Sequence, residues 1–139
     1  MRRLIEWILA TIGAAICIGG AMTFGQSQSA LWPMPALALS EMALLGLIGL
    51  LAIALDDGEH TVRWGIVTWA VVGGLIALML VGAWTIGPLL LVAVLAFAAA
   101  AILADTRRHR KLLSDAGVLI IGAASNAVVL FLFIIAARA

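Results

Sequence analysis

Long apolar runs, separated by short polar segments, make up most of the chain. A helix rises about 1.5 Å per residue, so about 20 apolar residues cross the roughly 30 Å hydrocarbon layer of a membrane. Five runs meet this requirement, at about residues 4–25, 35–55, 62–82, 87–104 and 113–137. The pattern therefore predicts an all-α, polytopic integral membrane protein with five transmembrane helices, forming a single membrane domain over residues 1–139.

The boundary between the third and fourth spans depends on glycine and proline. Apart from Arg63, the chain is uncharged and mainly apolar from Val62 to Ala104, which is too long for one span. Gly82, Gly87 and Pro88 interrupt this run. Glycine and proline favour a tight turn, and proline is well tolerated in the first turn of a helix. We therefore expect two antiparallel helices here.

The distribution of cations predicts the orientation. With the N-terminus in the cytoplasm, all but one of the eight basic residues lie on the inner side, and only Arg138 lies outside. The inner residues are Arg2, Arg3, Arg63, Arg107, Arg108, Arg110 and Lys111. The last four form a cytoplasmic basic loop, which either fixes the topology or also contacts anionic lipid heads or an acidic partner. The C-terminus is then outside.

Composition excludes several classes of protein. The residues are 65% hydrophobic and 11% charged, whereas a soluble domain is about half apolar and about a quarter charged. A net charge of +1 argues against nucleic acid as a partner, because nucleic acids bind basic patches. Cys17 is the single cysteine, so no disulfide can form within the chain. Arginine outnumbers lysine, as in GC-rich bacteria, which favours the bacterial inner membrane as the location.

Glu41 is an ionisable side chain inside the second predicted span. Such a residue is by default a candidate proton or ion site. The alternative follows from its depth, about 8 Å from the outer end of the span. At that depth the side chain can extend towards water, and the start of the helix favours a carboxylate. Both interpretations stay open at this point.

Ser125 and Asn126 lie deeper, near the middle of the fifth span. An unpaired amide is costly there, so we expect Asn126 to bond to a neighbouring helix. A polar lining for a substrate or ion path is the alternative. The second and fifth spans run in opposite directions, so Glu41 should lean outward and Asn126 inward. Direct contact between these two side chains is therefore not expected without a bridging water.

Small residues recur at four-residue spacing on two spans. They are Gly13, Cys17, Ala21 and Gly25 on the first, and Ala96, Ala100 and Ala104 on the fourth. Such stripes allow helix backbones to approach closely in lipid. They predict helix-packing faces, used either within this chain or against a partner subunit.

The motifs of soluble enzymes are missing from the sequence, including phosphate-binding loops, nucleophile elbows and His-Glu-x-x-His. We therefore expect no catalytic residues, no metal site and no enzymatic activity. His60 and His109 lie in loops and not in spans, which argues against haem. No cofactor is predicted, although peripheral lipid or pigment contacts stay open.

Two functions fit these observations. The first is a small multi-pass accessory or structural subunit that packs against larger membrane proteins, with energy-transducing complexes as one candidate class. The alternative is a small oligomeric transporter or channel that uses Glu41 and Asn126. In both, membrane lipids are partners, and in the first so are other membrane subunits.

Overall fold

The structure is a computed structural model that describes residues 1–27, 34–56, 62–82, 86–107 and 112–138. It confirms the all-α prediction: these residues form five helices and no strand. The helices are α1 (Arg2–Ser27), α2 (Met34–Ala54), α3 (Val62–Val81), α4 (Gly87–Arg107) and α5 (Leu112–Arg138).

The turn between α3 and α4 uses both of its glycines. The Gly87 N–H donates to the Gly82 carbonyl oxygen over 2.7 Å. A Cβ atom on Gly87 would lie 3.1 Å from that oxygen and 3.2 Å from the Met79 oxygen, so the position leaves little room for a side chain. Pro88 follows in the first turn of α4, where a missing N–H costs no helical bond.

The first four helices form a ring in cross-section. α1 packs against α2 and α4, and α3 packs against the same two helices. Neighbours in the ring are antiparallel; for example, Gly13 contacts Phe97 whereas Gly20, further along α1, contacts Leu89, earlier in α4. The result is an up-down-up-down four-helix arrangement. We call the end that carries Met1 the N-terminal end of the bundle.

The fifth helix lies outside this ring. α5 packs mainly on α3 and touches α2 only slightly. It runs parallel to α3, because Gly122 contacts Ala70 and Asn126, one turn later, reaches Gly74. Among the α5 side chains that the structure describes, Ile120, Val128 and Phe131 are exposed, whereas Leu130 is buried.

Phe97 fills the centre of the four-helix ring. Its side chain is fully buried. A Cβ atom on Gly13 of α1 would lie 2.7 Å from the ring, and one on Gly49 of α2 would lie 2.6 Å from it. The two glycines therefore leave the space that the aromatic ring occupies, and three helices meet at this side chain.

The length and apolar composition of the helices indicate a membrane protein. Each of α1 to α4 contains a stretch long and apolar enough to cross a membrane. In α5, the apolar stretch within the described part of the helix runs from Gly117 to Leu132 and is shorter. Large aliphatic side chains on all five helices are exposed, such as Ile8, Leu44, Leu80, Leu95 and Ile121. Lipid is the environment in which such a surface is stable.

Candidate functional site

Glu41 of α2 and Asn126 of α5 are joined by a side-chain hydrogen bond. The expectation that these residues would not touch is therefore wrong. It rested on the opposite lean of the two side chains and on heights counted from the ends of the spans. Whether two side chains that lean in opposite directions meet depends on the depths of their Cα atoms in the membrane. Counting residues from the ends of the spans gives these depths only to within several ångströms.

Asn126 also bonds to a third helix. Its Nδ2 atom donates to the Gly74 carbonyl oxygen of α3 over 2.9 Å. A Cβ atom on Gly74 would lie 3.4 Å from this nitrogen and 3.2 Å from Leu45 of α2, so the glycine keeps the approach open. An amide nitrogen carries two hydrogens, so it can donate to Gly74 and to the Glu41 carboxylate together. The amide thereby connects α2, α3 and α5.

These residues line a groove on the surface of the protein. α2 and α5 both pack on α3 but make few contacts with each other. Gly74 of α3 forms the floor, Glu41 and Leu45 belong to the α2 wall, and Asn126 belongs to the α5 wall. We call this set the α2–α5 groove. Glu41 and Asn126 are each half-buried, so the polar pair is partly open to whatever covers the groove.

The neighbouring serines do not extend the polar network in the described structure. The Ser40 hydroxyl donates to the Leu37 carbonyl oxygen over 2.8 Å, and the Ser125 hydroxyl donates to the Gly122 oxygen over 3.1 Å. Both bonds stay within their own helices, and both side chains are exposed. Ser125 was predicted together with Asn126 as a polar site, but the bond of Ser125 stays within α5 whereas that of Asn126 crosses to α3.

Two glycines, Gly73 and Gly122, allow the backbones of α3 and α5 to approach closely beside the groove. A Cβ atom on Gly122 would lie 2.8 Å from the Ala70 carbonyl oxygen, and one on Gly73 would collide with the Leu119 oxygen and with the Ala123 nitrogen. The obstacles are backbone atoms, which cannot rotate away as a side chain can. The close backbone contact sets how far Asn126 projects towards Gly74 and Glu41.

A second buried polar site lies near the N-terminal end of the bundle. Trp69 Nε1 of α3 donates to Asp105 Oδ2 of α4 over 2.8 Å, and both side chains are buried. Glu6 and Asp56 are buried towards the same end, at 2% and 6% exposure. These acids were not among the residues predicted to form a site.

Spacing could have identified two of these acids. Asp105 follows Phe97 and Ala101 at intervals of four, so it lies on the stripe that faces the ring interior. Glu6 precedes Ala10 and Ala14 at the same interval, and both alanines are buried. An acidic residue that continues the four-residue spacing of buried side chains lies on the same helix face, and so between the packed helices.

The predicted small-residue faces lie largely inside the chain. Cys17 is fully buried, and a Cβ atom on Gly46 of α2 would lie 2.7 Å from its Cβ. Gly13 contacts Phe97, Ala21 is half-buried and Gly25 is exposed. On α4 the residues Ala96, Ala100 and Ala104 are all buried. The contacts of both stripes are thus mainly with neighbouring helices of the same chain.

Several predicted residues lie outside the described part of the chain. These are Arg108, Arg110 and Lys111 of the basic loop, the side chain of Arg107, and the loop histidines His60 and His109. Within the described residues, the His, Cys, Asp and Glu side chains form no group of three or more that could hold a metal ion.

The candidate site is therefore the α2–α5 groove, where an ionisable group, an amide and a backbone carbonyl from three helices meet. The chain matches no protein-family model, no curated protein and no solved structure.

Proposed function

We propose that this protein is a small multi-pass accessory subunit that packs against larger proteins in a bacterial inner-membrane complex. The supporting observation is the α2–α5 groove, where Glu41 lies half-buried about 10 Å from the start of α2. A carboxyl group at this depth is costly against hydrocarbon, and such residues usually face protein or water-filled space. A partner helix in the groove would supply protein contact for it.

The surface around the groove supports the same proposal. Exposed large side chains flank it on both walls, with Leu44 and Ile48 on α2 and Val129 on α5. The small-residue stripes of α1 and α4 pack largely inside the chain, so they offer little surface to a partner. Contact with a larger subunit would instead use α5 and the groove beside it.

In this proposal all five helices cross the membrane, with the N-terminus in the cytoplasm. The inner side then carries Arg2, Arg3, Arg63 and the basic loop, in agreement with the positive-inside rule. The groove lies nearer to the outer face, because α2 starts there and Glu41 is in its second turn. Its partner helix would be contacted in the outer half of the membrane.

Purification in mild detergent tests the subunit role. The tagged chain, extracted from its own membranes and analysed by native electrophoresis, should migrate in a large complex, and mass spectrometry should find other membrane proteins in the same band. Recovery of the chain only as a monomer or a homo-oligomer, under conditions that preserve known complexes of the same membrane, would contradict the proposal.

A small oligomeric transporter or channel is the second candidate. The observation that favours it is the bond between an ionisable group and an amide that also contacts the backbone of a third helix. A proton or cation that binds Glu41 would alter this bond and so affect the packing of α2 against α5. The site could then couple ion binding to movement of the two helices.

Flux measurements separate this candidate from the first. In vesicles that contain the purified chain, Glu41→Gln should abolish proton or cation flux or remove its dependence on pH. Ser40→Ala is a matched control, because among the described residues this neighbouring side chain bonds within its own helix. Equal flux through the wild-type chain and the Glu41→Gln variant would exclude a transport role for the site.

A further inference from the structure

The open side of the α2–α5 groove presents a carboxyl group. We propose that the groove docks a transmembrane helix of a different protein, and that this helix carries a lysine or arginine side chain at the depth of Glu41. The inference rests on the proposed subunit role and specifies the chemistry of the partner. Three observations support it: the unused hydrogen-bonding capacity of Glu41, the shape of the groove and the positions of this chain's own cations.

Glu41 has acceptor capacity beyond its bond to Asn126. A carboxylate has about four lone-pair sites, and the Asn126 amide nitrogen, which donates to the Gly74 oxygen, has one further hydrogen for Glu41. Among the described residues, Asn126 is the side chain that bonds to Glu41. The carboxyl group is only half-buried, and a cationic donor is the group that best satisfies a carboxylate away from water.

The shape of the groove suits a helix. Within the hydrocarbon layer a spanning segment must satisfy its own backbone hydrogen bonds, and a helix does so. The walls above and below Glu41 are lined with exposed aliphatic residues, such as Leu44 and Ile48 on α2 and Val129 on α5. A mainly apolar helix with one basic side chain therefore complements both the apolar walls and the single acid.

A second copy of this chain does not supply that cation. In a copy with the same orientation, Arg138 is the basic residue nearest to the end of the bundle where α2 begins. It lies twelve residues beyond Asn126 along α5, a rise of about 18 Å, which is further than an arginine side chain extends. The other cations lie at the start of α1, at the start of α3 or around the end of α4. Charge complementarity thus points to a different protein.

Designed peptides test this chemistry directly. The full chain, labelled with a fluorescent donor, is placed in phosphatidylcholine vesicles with acceptor-labelled Leu-Ala transmembrane peptides. One peptide carries a single lysine at the depth of Glu41, and a second carries leucine there. We expect the lysine peptide to bind at least tenfold more tightly. Glu41→Gln should remove that preference, and Ser40→Ala, which changes the adjacent exposed position, should retain it.

Changes in the peptide keep the test independent of the folding of any variant. Moving the lysine two helical turns along the peptide should abolish the preference, because the cation then lies away from Glu41. Equal binding of the lysine and leucine peptides would overturn the proposal. So would displacement of the lysine peptide by unlabelled chain, since that result would make a second copy the occupant.

The failure of this inference can be distinguished from the failure of the proposed function. If the wild-type chain and Glu41→Gln enter the same large native complex to the same extent, the docking chemistry is wrong and the subunit role stands. If the lysine peptide binds as expected but the chain never enters a complex in its own membrane, the subunit role is wrong and the groove chemistry stands.

Discussion

Trp69 and Asp105 form a buried hydrogen bond between α3 and α4, with the indole Nε1 atom donating to Asp105 Oδ2 over 2.8 Å. Both residues are near the N-terminal end of the bundle, where Glu6 and Asp56 are also buried. A carboxyl group in such a place needs donors, because burial without hydrogen bonds is costly. The indole is one such donor, so Trp69 contributes through its N–H as well as through its bulk.

Replacing Trp69 by phenylalanine should destabilise the protein through the lost donor. The aromatic packing is mostly retained, but a buried acceptor loses a hydrogen bond, which costs about 1–3 kcal/mol. Cys17 provides the measurement, because it is the single cysteine and is fully buried. The rate at which a thiol-reactive dye labels it during a thermal ramp in detergent reports unfolding.

The matched control is Trp7→Phe, since Trp7 is exposed on α1. We expect its unfolding temperature to stay close to that of the wild type. If the two substitutions lower the unfolding temperature by the same amount, the loss comes from removing indole bulk and the hydrogen bond contributes little.

The contact between α3 and α5 predicts a difference between two glycines of the same helix. Gly122→Ala would place a Cβ atom 2.8 Å from the Ala70 oxygen and 2.9 Å from its Cα. The backbone of α3 cannot move aside locally, so α5 must shift outward, with a loss of about 1–3 kcal/mol, as for overpacked cores. At Gly117 an added Cβ meets nothing within 4 Å, and Gly117→Ala should be neutral.

Protease digestion of the two variants in detergent would measure this difference, because a displaced α5 exposes cleavage sites sooner. Equal protection of Gly122→Ala and Gly117→Ala would mean that the α3–α5 contact adapts without cost.

Phe97 and the glycines around it predict an interaction between substitutions. An added Cβ on Gly49 would lie 2.6 Å from one edge of the Phe97 ring, and Gly13 packs against the other edge. Gly49→Ala should therefore destabilise the four-helix ring by about 1–3 kcal/mol. In a Phe97→Leu background the smaller side chain leaves room for the methyl group, so the same change should cost less.

Thermal unfolding of the single and double variants gives the coupling free energy, which we expect to be at least about 0.5 kcal/mol. Gly19→Ala serves as the control, since its Cβ would meet nothing within 4 Å. Strict additivity of Gly49→Ala and Phe97→Leu would show that the glycine does not make space for the ring.

The helices themselves follow from the sequence because membrane spans depend on length and apolar composition. Gly82, Gly87 and Pro88 likewise indicated where α3 ends and α4 begins, since their effect on the backbone is local. The neighbours of each helix could not be predicted in this way. Helices that are apolar on all sides carry no polar face to show which side packs, and so the placement of α5 outside the ring was not foreseen.

The sequence predicted the residues of the candidate site but not their contact with each other. Glu41 and Asn126 stood out as polar residues inside apolar spans, which is a local property. Their contact depends on the relative height of α2 and α5, and that height is set by the Gly73 and Gly122 contact of α5 with α3. It is a tertiary relationship between residues far apart in the chain.

Cysteine labelling tests the proposed orientation. Gln26 and Thr106 are exposed residues near the ends of α1 and α4, at opposite ends of the bundle. With Cys17 replaced by alanine, a cysteine at position 26 should react with a membrane-impermeant maleimide added outside intact cells. A cysteine at position 106 should react only after the membrane is opened. The reverse pattern would invert the topology and put the groove in the inner half of the membrane.

The pair formed by Glu41 and Asn126 predicts a further coupling. Asn126→Leu removes the bonds to Gly74 and to Glu41 and leaves the acid without its amide. Interhelical hydrogen bonds in membranes average about 0.6 kcal/mol, and the carboxyl group that is left without its donor adds to the loss. We therefore expect the free energy of unfolding to fall by about 1–2 kcal/mol. Ser125→Ala is the adjacent control and should change little, because this hydroxyl bonds within α5.

Removing the acid as well should recover part of that loss. In the double variant Glu41→Leu with Asn126→Leu, no carboxyl group is left without a donor, and two apolar side chains can pack across the groove. The free energy of unfolding, measured by Cys17 labelling in detergent, should therefore fall by less than the sum of the two single changes. If the double variant loses the full sum, the two side chains act independently and the hydrogen bond between them does not stabilise the placement of α5.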